Sequence, residues 1–176
     1  QTCALPISAN KGYVDSVKQA LDIKDSVRVA TTANLTATAS GTGAGKTLTN
    51  SGTQAAITID SIVLSSGDRV LVKDQTTAAN NGIYTVTTVG TASTNWVLTR
   101  ATDADNSPSG EVTPGMFTFV EEGTVNADSG WVLTTDGAVT IDTTALNFVQ
   151  FSGAGQVIAG AGLTKTGNQI DVVGTD

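Results

Sequence analysis

The stretch Ile62–Ala104, IVLSSGDRVLVKDQTTAANNGIYTVTTVGTASTNWVLTRATDA, decides the fold. It holds three apolar runs separated by turn chemistry. Val70-Leu71-Val72 follows Ser-Gly-Asp, Ile83 to Val89 follows Asn80-Asn81-Gly82, and Trp96-Val97-Leu98 precedes Arg100-Ala101-Thr102-Asp103. β-Branched and aromatic residues bounded at short spacing by Gly, Asn and Asp predict strands joined by tight turns. Asn81-Gly82 suits a turn because both residues tolerate positive φ at little steric cost. The rest of the chain is expected to arrange itself around this sheet, and no catalytic constellation emerges from it.

Working outward toward the N-terminus, Ile57 and Ile59 alternate with polar neighbours and fall on one strand face. Thr36 to Thr53 is rich in Gly, Ser, Thr and Ala, and reads either as a long surface loop or as a ragged edge hairpin. Val27 and Val29 open the β region with alternation. Toward the C-terminus, Asp103 to Thr113, with Pro108, reads as a surface loop, and Pro114-Gly115 turns into a strand over Met116–Val120 that Glu121-Glu122-Gly123 ends. Trp131-Val132-Leu133 predicts another strand, Asp136-Gly137 a hairpin turn, and Val139 with Ile141 the strand pairing back. Leu146, Phe148, Val149 and Phe151 form the last strand of a β module over 27–152. The tetrapeptide WVLT occurs at Trp96 and again at Trp131, which suggests equivalent strands with both indoles in one core.

The flanks differ in texture. Ala9 to Lys24, ANKGYVDSVKQALDIK, predicts the chain's one convincing helix. Asn10 can cap it, Val14, Val17 and Leu21 form a stripe at 3-4 spacing, and Tyr13 and Ala20 widen that stripe. Such a helix is barely long enough to be stable alone, so it must pack on its own sheet or form a seam between identical subunits over 9–26. From Gly153, residues 153–176 read as a Gly-rich linker or hairpin, with Gly167-Asn168 as its turn. A pair of strands is marginal in water, so this tail is expected to pair with other copies or lead into a further module. Gln1 to Ile7, QTCALPI, fits nothing downstream. It resembles a translated sequencing adapter, so residues 1–8 are expected to be either an assembly artefact on a fragment of a longer gene or a disordered natural terminus, and in the first case Cys3 says nothing of redox compartment.

Composition narrows the function. Of 176 residues, nine are Lys or Arg and sixteen Asp or Glu, a formal charge of -7, which argues against nucleic-acid binding. No apolar run approaches the ~20 residues of a membrane helix. Histidine is absent, removing the commonest general base and metal ligand, and a single cysteine allows neither an internal disulfide nor a cysteine-based zinc site. Gly41 to Thr47, GTGAGKT, imitates a phosphate loop, but Ser40 stands where its first glycine belongs and no strand-loop-helix frame surrounds it. Asp103, Asp105 and Glu111 cluster loosely, as do Glu121 and Glu122, without the ligand spacing of a calcium loop. Lys73/Asp74 and Arg100/Asp103 read as surface ion pairs.

Several longer motifs occur in order: Asp25 to Asn34 (DSVRVATTAN), Gly67 to Gln75 (GDRVLVKDQ), Asn81 to Tyr84 (NGIY), Thr99 to Asp105 (TRATDAD) and Phe119 to Thr124 (FVEEGT). Gly130 to Gly137 (GWVLTTDG) and Phe148 to Ser152 (FVQFS) complete the series, preceded by Asn10 to Asp15 (NKGYVD) and followed by Gly160 to Asn168 (GAGLTKTGN). The series resembles a module of tail fibre and related appendage proteins of tailed bacteriophages. It departs over Thr36–Thr53, where the family's short strand and loop are expanded. The resemblance implies an all-β, homotrimeric, extracellular virion module with no enzyme chemistry and no cofactor, assembled with other virion proteins as a spacer or knob in host attachment. The expected architecture is a compact antiparallel sandwich or barrel-like module with one short N-terminal helix and a Gly-rich β tail. The alternative is a carbohydrate-binding module that grips a host surface glycan through Tyr84, Trp96, Asp103 and Asp105.

Overall fold

The computed structural model describes residues 22–152, 160–166 and 169–172. The strands in chain order are β1 (Val29–Ala30), β2 (Ala37–Ser40), β3 (Thr47–Asn50), β4 (Thr58–Ile59), β5 (Ile62–Val63), β6 (Arg69–Val72) and β7 (Gly82–Thr88). There follow β8 (Val97–Arg100), β9 (Phe117–Val120), β10 (Ser129–Leu133), β11 (Phe148–Ser152), β12 (Leu163–Thr166) and β13 (Gln169–Val172). The described chain is all-β, broken only by 3-10 turns at Gly43–Gly45 and Ala78–Asn80. The expected helix and artefact, up to Leu21, lie outside the described residues. Its expected last turn is not helical: Ile23 bridges Phe117 in parallel, so residues 22–26 run extended along β9.

The opening stretch does form the centre. A six-stranded sheet runs β1-β6-β7-β8-β3-β2, and β6, β7 and β8 are its consecutive antiparallel middle. Val70, Leu71 and Val72 are all buried, as are Ile83 and Tyr84, because the sheet is covered on both faces. Leu71 and Ile83 point into one core with Val27, Met116, Val120, Leu133 and Leu146. Val70, Val72, Tyr84 and Leu98 point into another, closed by Ile57, Ile59 and Leu64 around the β4–β5 hairpin. A strand buried on both sides reads as a continuous apolar run. The second sheet, β11-β10-β9, packs its inner face on the first of these cores.

Segment 22–30 ties the layers. Its first half bonds to β9, and its second half, β1, pairs in parallel with β6. The fold is therefore all-β and mixed rather than purely antiparallel, and among the described residues no sheet closes into a barrel. At the bend between them Arg28 reaches Asp68 at 2.6 Å and Glu122 at 3.1 Å, one carboxylate from each sheet's side. Both hold its guanidinium protonated far above the ordinary range.

Several expectations need correction. Thr36–Thr53 is the hairpin alternative: β2 is the sheet edge, but β3 is interior, pairing β8, and Leu48 is fully buried. Asp136-Gly137 makes no hairpin, since β10 pairs β11 after a long loop in which Ile141 sits in a turn. Val139 and Ile141 pack on the core as loop side chains instead. Asn81-Gly82 is not a two-residue turn; Asn81 keeps φ -66°, ends the 3-10 turn, and sends its side chain inward. The real tight turn with paired positive φ is Asp60-Ser61, at 47° and 69°, which joins β4 to β5 without any glycine. The two WVLT tryptophans occupy different cores, Trp96 the β4–β5 side and Trp131 the rim of the other.

Trp96 is only 8% exposed and fills its core. Trp96→Ala is expected to cost about 3–5 kcal/mol in urea unfolding, and half-buried Trp131→Ala clearly less; equal costs would contradict the two-core description.

Candidate functional site

The densest polar constellation lies where β7 and β8 meet the loop from residue 134 to 147. Arg100, on β8, is 2% exposed and sits opposite Tyr84 on β7. Its Nη2 donates to Asp142 Oδ1 at 2.9 Å and to the Tyr84 hydroxyl at 3.1 Å, and its Nη1 donates to the Asn81 carbonyl at 3.1 Å. The guanidinium also stacks on the Tyr84 ring at 4.9 Å. A Cβ on Gly82 would fall 2.3 Å from Nη1, and Gly82 adopts φ +140°, so only glycine leaves room for the arginine.

Asp142 completes the cluster from the far side. Its Oδ2 accepts the Gly43 amide at 2.7 Å, and Lys46 Nζ lies 3.4 Å from its Oδ1. The Gly41–Thr47 stretch that imitates a phosphate loop thus bonds a carboxylate of its own chain. Asn81 extends the network: its Nδ2 donates to the Lys73 and Leu146 carbonyls, and its Oδ1 accepts the Gln75 amide. Every contact here is internal, and the chemistry is that of a structural clasp.

The four residues expected to meet a glycan are not brought to one surface. Tyr84 is fully buried, its hydroxyl donating to the Asn80 carbonyl at 2.7 Å, and Trp96 lies in the core. Neither offers a face to a ligand. Asp103 does not pair with Arg100; it takes a two-pronged bond from Arg69 at 3.0 and 2.8 Å. Asp105 is buried and accepts the Ser107 amide, which Glu111 also approaches. Asp103 and Asp105 therefore do not converge as cation ligands. Lys73 does reach Asp74 at 3.0 Å, but its side chain is mostly buried over the Trp131 ring rather than solvated. Glu121 and Glu122 bond Ser26 and Arg28 respectively.

Other surface features are seen among the described residues. A cleft of about 510 Å³ is lined by Asp22, Lys24, Asp103, Pro108, Glu111 and Thr113. A polar hollow of about 310 Å³ carries Asn34, Thr36, Ser51, Gln75, Thr76 and Thr77, with no charged group in its lining. The outer face of β9–β11 is apolar and open, with Phe119 and Phe151 each about half exposed. Sequence reasoning missed Asp142, whose only local signal was an acid inside a Thr-rich stretch. No family model matches the chain, nor does any curated protein or solved structure.

Burial pushes the Tyr84 hydroxyl up to about 12, with Arg100 opposing and Asp142 adding to the shift. A phenol that holds its proton more tightly when folded stabilises fully below pH 10, and that stabilisation is lost as pH rises toward 12. The wild type is expected to lose about 2–3 kcal/mol more than Tyr84→Phe between pH 10 and 12 in denaturant titrations; parallel curves would contradict the buried placement.

Proposed function

We propose that this chain is a structural module of a bacteriophage tail fibre or similar virion appendage, a homotrimeric spacer or knob acting in host attachment outside the cell. The run of motifs resembling fibre modules supports this reading, and one structural observation carries it furthest. The β12–β13 hairpin forms a two-stranded sheet of its own, with register Leu163↔Val172 through Thr166↔Gln169. Leu163 is 40% and Val172 80% exposed. Among the described residues this hairpin pairs with no further strand; a two-stranded unit with exposed apolar side chains is marginal in water, and strands from other copies satisfy that need. Closed rotational symmetry then brings three tails to one axis. The role is mechanical, and the internal clasp at Arg100 suits a load-bearing module rather than a catalyst.

A second reading has an observation of its own. Gln75, which lines the polar hollow, buries its side-chain nitrogen with no hydrogen-bond partner among the described residues. Neutral hydroxyl and amide groups suit an uncharged sugar, so the carbohydrate-binding alternative moves to this hollow from the four residues first considered.

Light scattering on the full chain is expected to give three chain masses, falling to one in Leu163→Asp/Val172→Asp with the thermal transition of the β module retained. A monomeric wild type, with glycan-array binding that Gln75→Leu abolishes, would favour the second reading instead.

A further inference from the structure

Strand direction in the second sheet fixes how tension along the chain would act on the fold. Segment 22–27 runs parallel to β9, through the bridges Ile23↔Phe117 and Val27↔Val120. β10 is antiparallel to β9 and β11 antiparallel to β10, so β11 points the same way as segment 22–27. Their outer residues lie at opposite ends of this layer. Asp22 bonds to Phe117, which pairs with Val132 at one end, whereas Ser152 pairs with Gly130, which pairs with Phe119 toward the other. Pulling the chain from both sides therefore draws Asp22 and Ser152 apart along the strand axes, not across them.

Hydrogen bonds between strands lie across the strand axis. Tension along that axis loads all of them together, whereas tension across it breaks them one at a time from an end. Segment 22–30 is bonded along its length. Phe117 donates to the Asp22 carbonyl and accepts from the Lys24 amide, Val27 donates to the Phe119 carbonyl and accepts from the Glu121 amide, and the Arg28 carbonyl accepts from Glu122, all at 2.7–3.0 Å. From β6, the Arg69 guanidinium donates to the Asp25 and Ser26 carbonyls, and the Arg69 carbonyl accepts the Arg28 amide. Side chains hold both ends of the segment: the Thr113 hydroxyl donates to Asp22 at 2.6 Å, and Arg28 bridges Asp68 and Glu122. Val27 is buried in one core and Val29 in the other, so sliding the segment lengthwise drags apolar side chains out of both.

We infer that segment 22–30 and β11 form a shear clamp, through which a single chain resists being pulled out along its own length. Neither the entering nor the leaving strand can be peeled by that tension; each must slide past its neighbour with every lateral bond intact until all fail together. The clamp goes beyond the fibre reading, because it needs only the strand directions within one chain and holds whether or not the tails trimerise.

Forced unfolding is governed by the unfolding barrier, so single-molecule pulling on the full chain, one chain per tether, tests it. Pulling between tags added at the two termini is expected to unfold the β module at several times the force needed between the N-terminal tag and Thr134→Cys, made with Cys3→Ser. Thr134 follows β10 at the Asp22 end of the layer, so the second pair draws segment 22–27 off β9 bond by bond. Equal forces in the two directions, or a weaker end-to-end direction, would overturn the inference. Lys24→Pro deletes the amide that bonds the Phe117 carbonyl and is expected to lower the end-to-end force clearly; an unchanged force would overturn it too.

Discussion

A guanidinium shut away from water is held by whatever partners the fold can bring to it, and Arg100 is such a group. Asp142, the Tyr84 hydroxyl and the Asn81 carbonyl share its terminal nitrogens, while its Nε has no partner among the described residues. Ion pairs of this kind add little stability over a well-packed apolar pair, yet removing one partner is severe because a bare charge stays behind. Their better-attested value is in fixing one arrangement among several. Here the arrangement brings four distant pieces together: β7, β8, the glycine loop before β3, and the loop between β10 and β11.

The layered architecture follows from that clasp and from two apolar cores. The central sheet can be buried on both faces only if something holds the second sheet and the β4–β5 hairpin against it. The Asp142 loop does so at one end, and segment 22–30 with Arg28 does so at the other. Asp60 secures a third point, accepting the amides of Val125 and Asn126 between β9 and β10. The described interior is thus fully committed to structure. Among the described residues, the surfaces left outside it include the cleft beside Asp103 and Glu111, the apolar face of β9–β11, the polar hollow and the β12–β13 hairpin.

Much of the fold was legible in the sequence because strand signals are local. Val70–Val72, Ile83–Val89, Phe117–Val120 and Phe148–Phe151 carry their β-branched or aromatic pattern within a few residues, and each is a strand or most of one. The failures share a different cause. Asp136-Gly137 has ideal turn chemistry, but Asp142 must reach Arg100, and the long-range pair overrides the short-range hairpin. Asp60-Ser61 lacks glycine and gave no signal, although its backbone makes the tight turn. Tyr84 and Trp96 looked available as binding aromatics because type says nothing of depth. A candidate site depends on which side chains are left over after packing, and only the three-dimensional arrangement shows that remainder.

The most direct test of the clasp is a double-mutant cycle in urea on Arg100→Met and Asp142→Leu. If the pair fixes the arrangement, Asp142→Leu leaves the Arg100 guanidinium buried without a countercharge and is expected to cost about 3–5 kcal/mol, Arg100→Met costs less because Lys46 still faces Asp142, and the double variant costs clearly less than their sum. Additive losses would mean that Arg100 and Asp142 act independently, and would contradict the account.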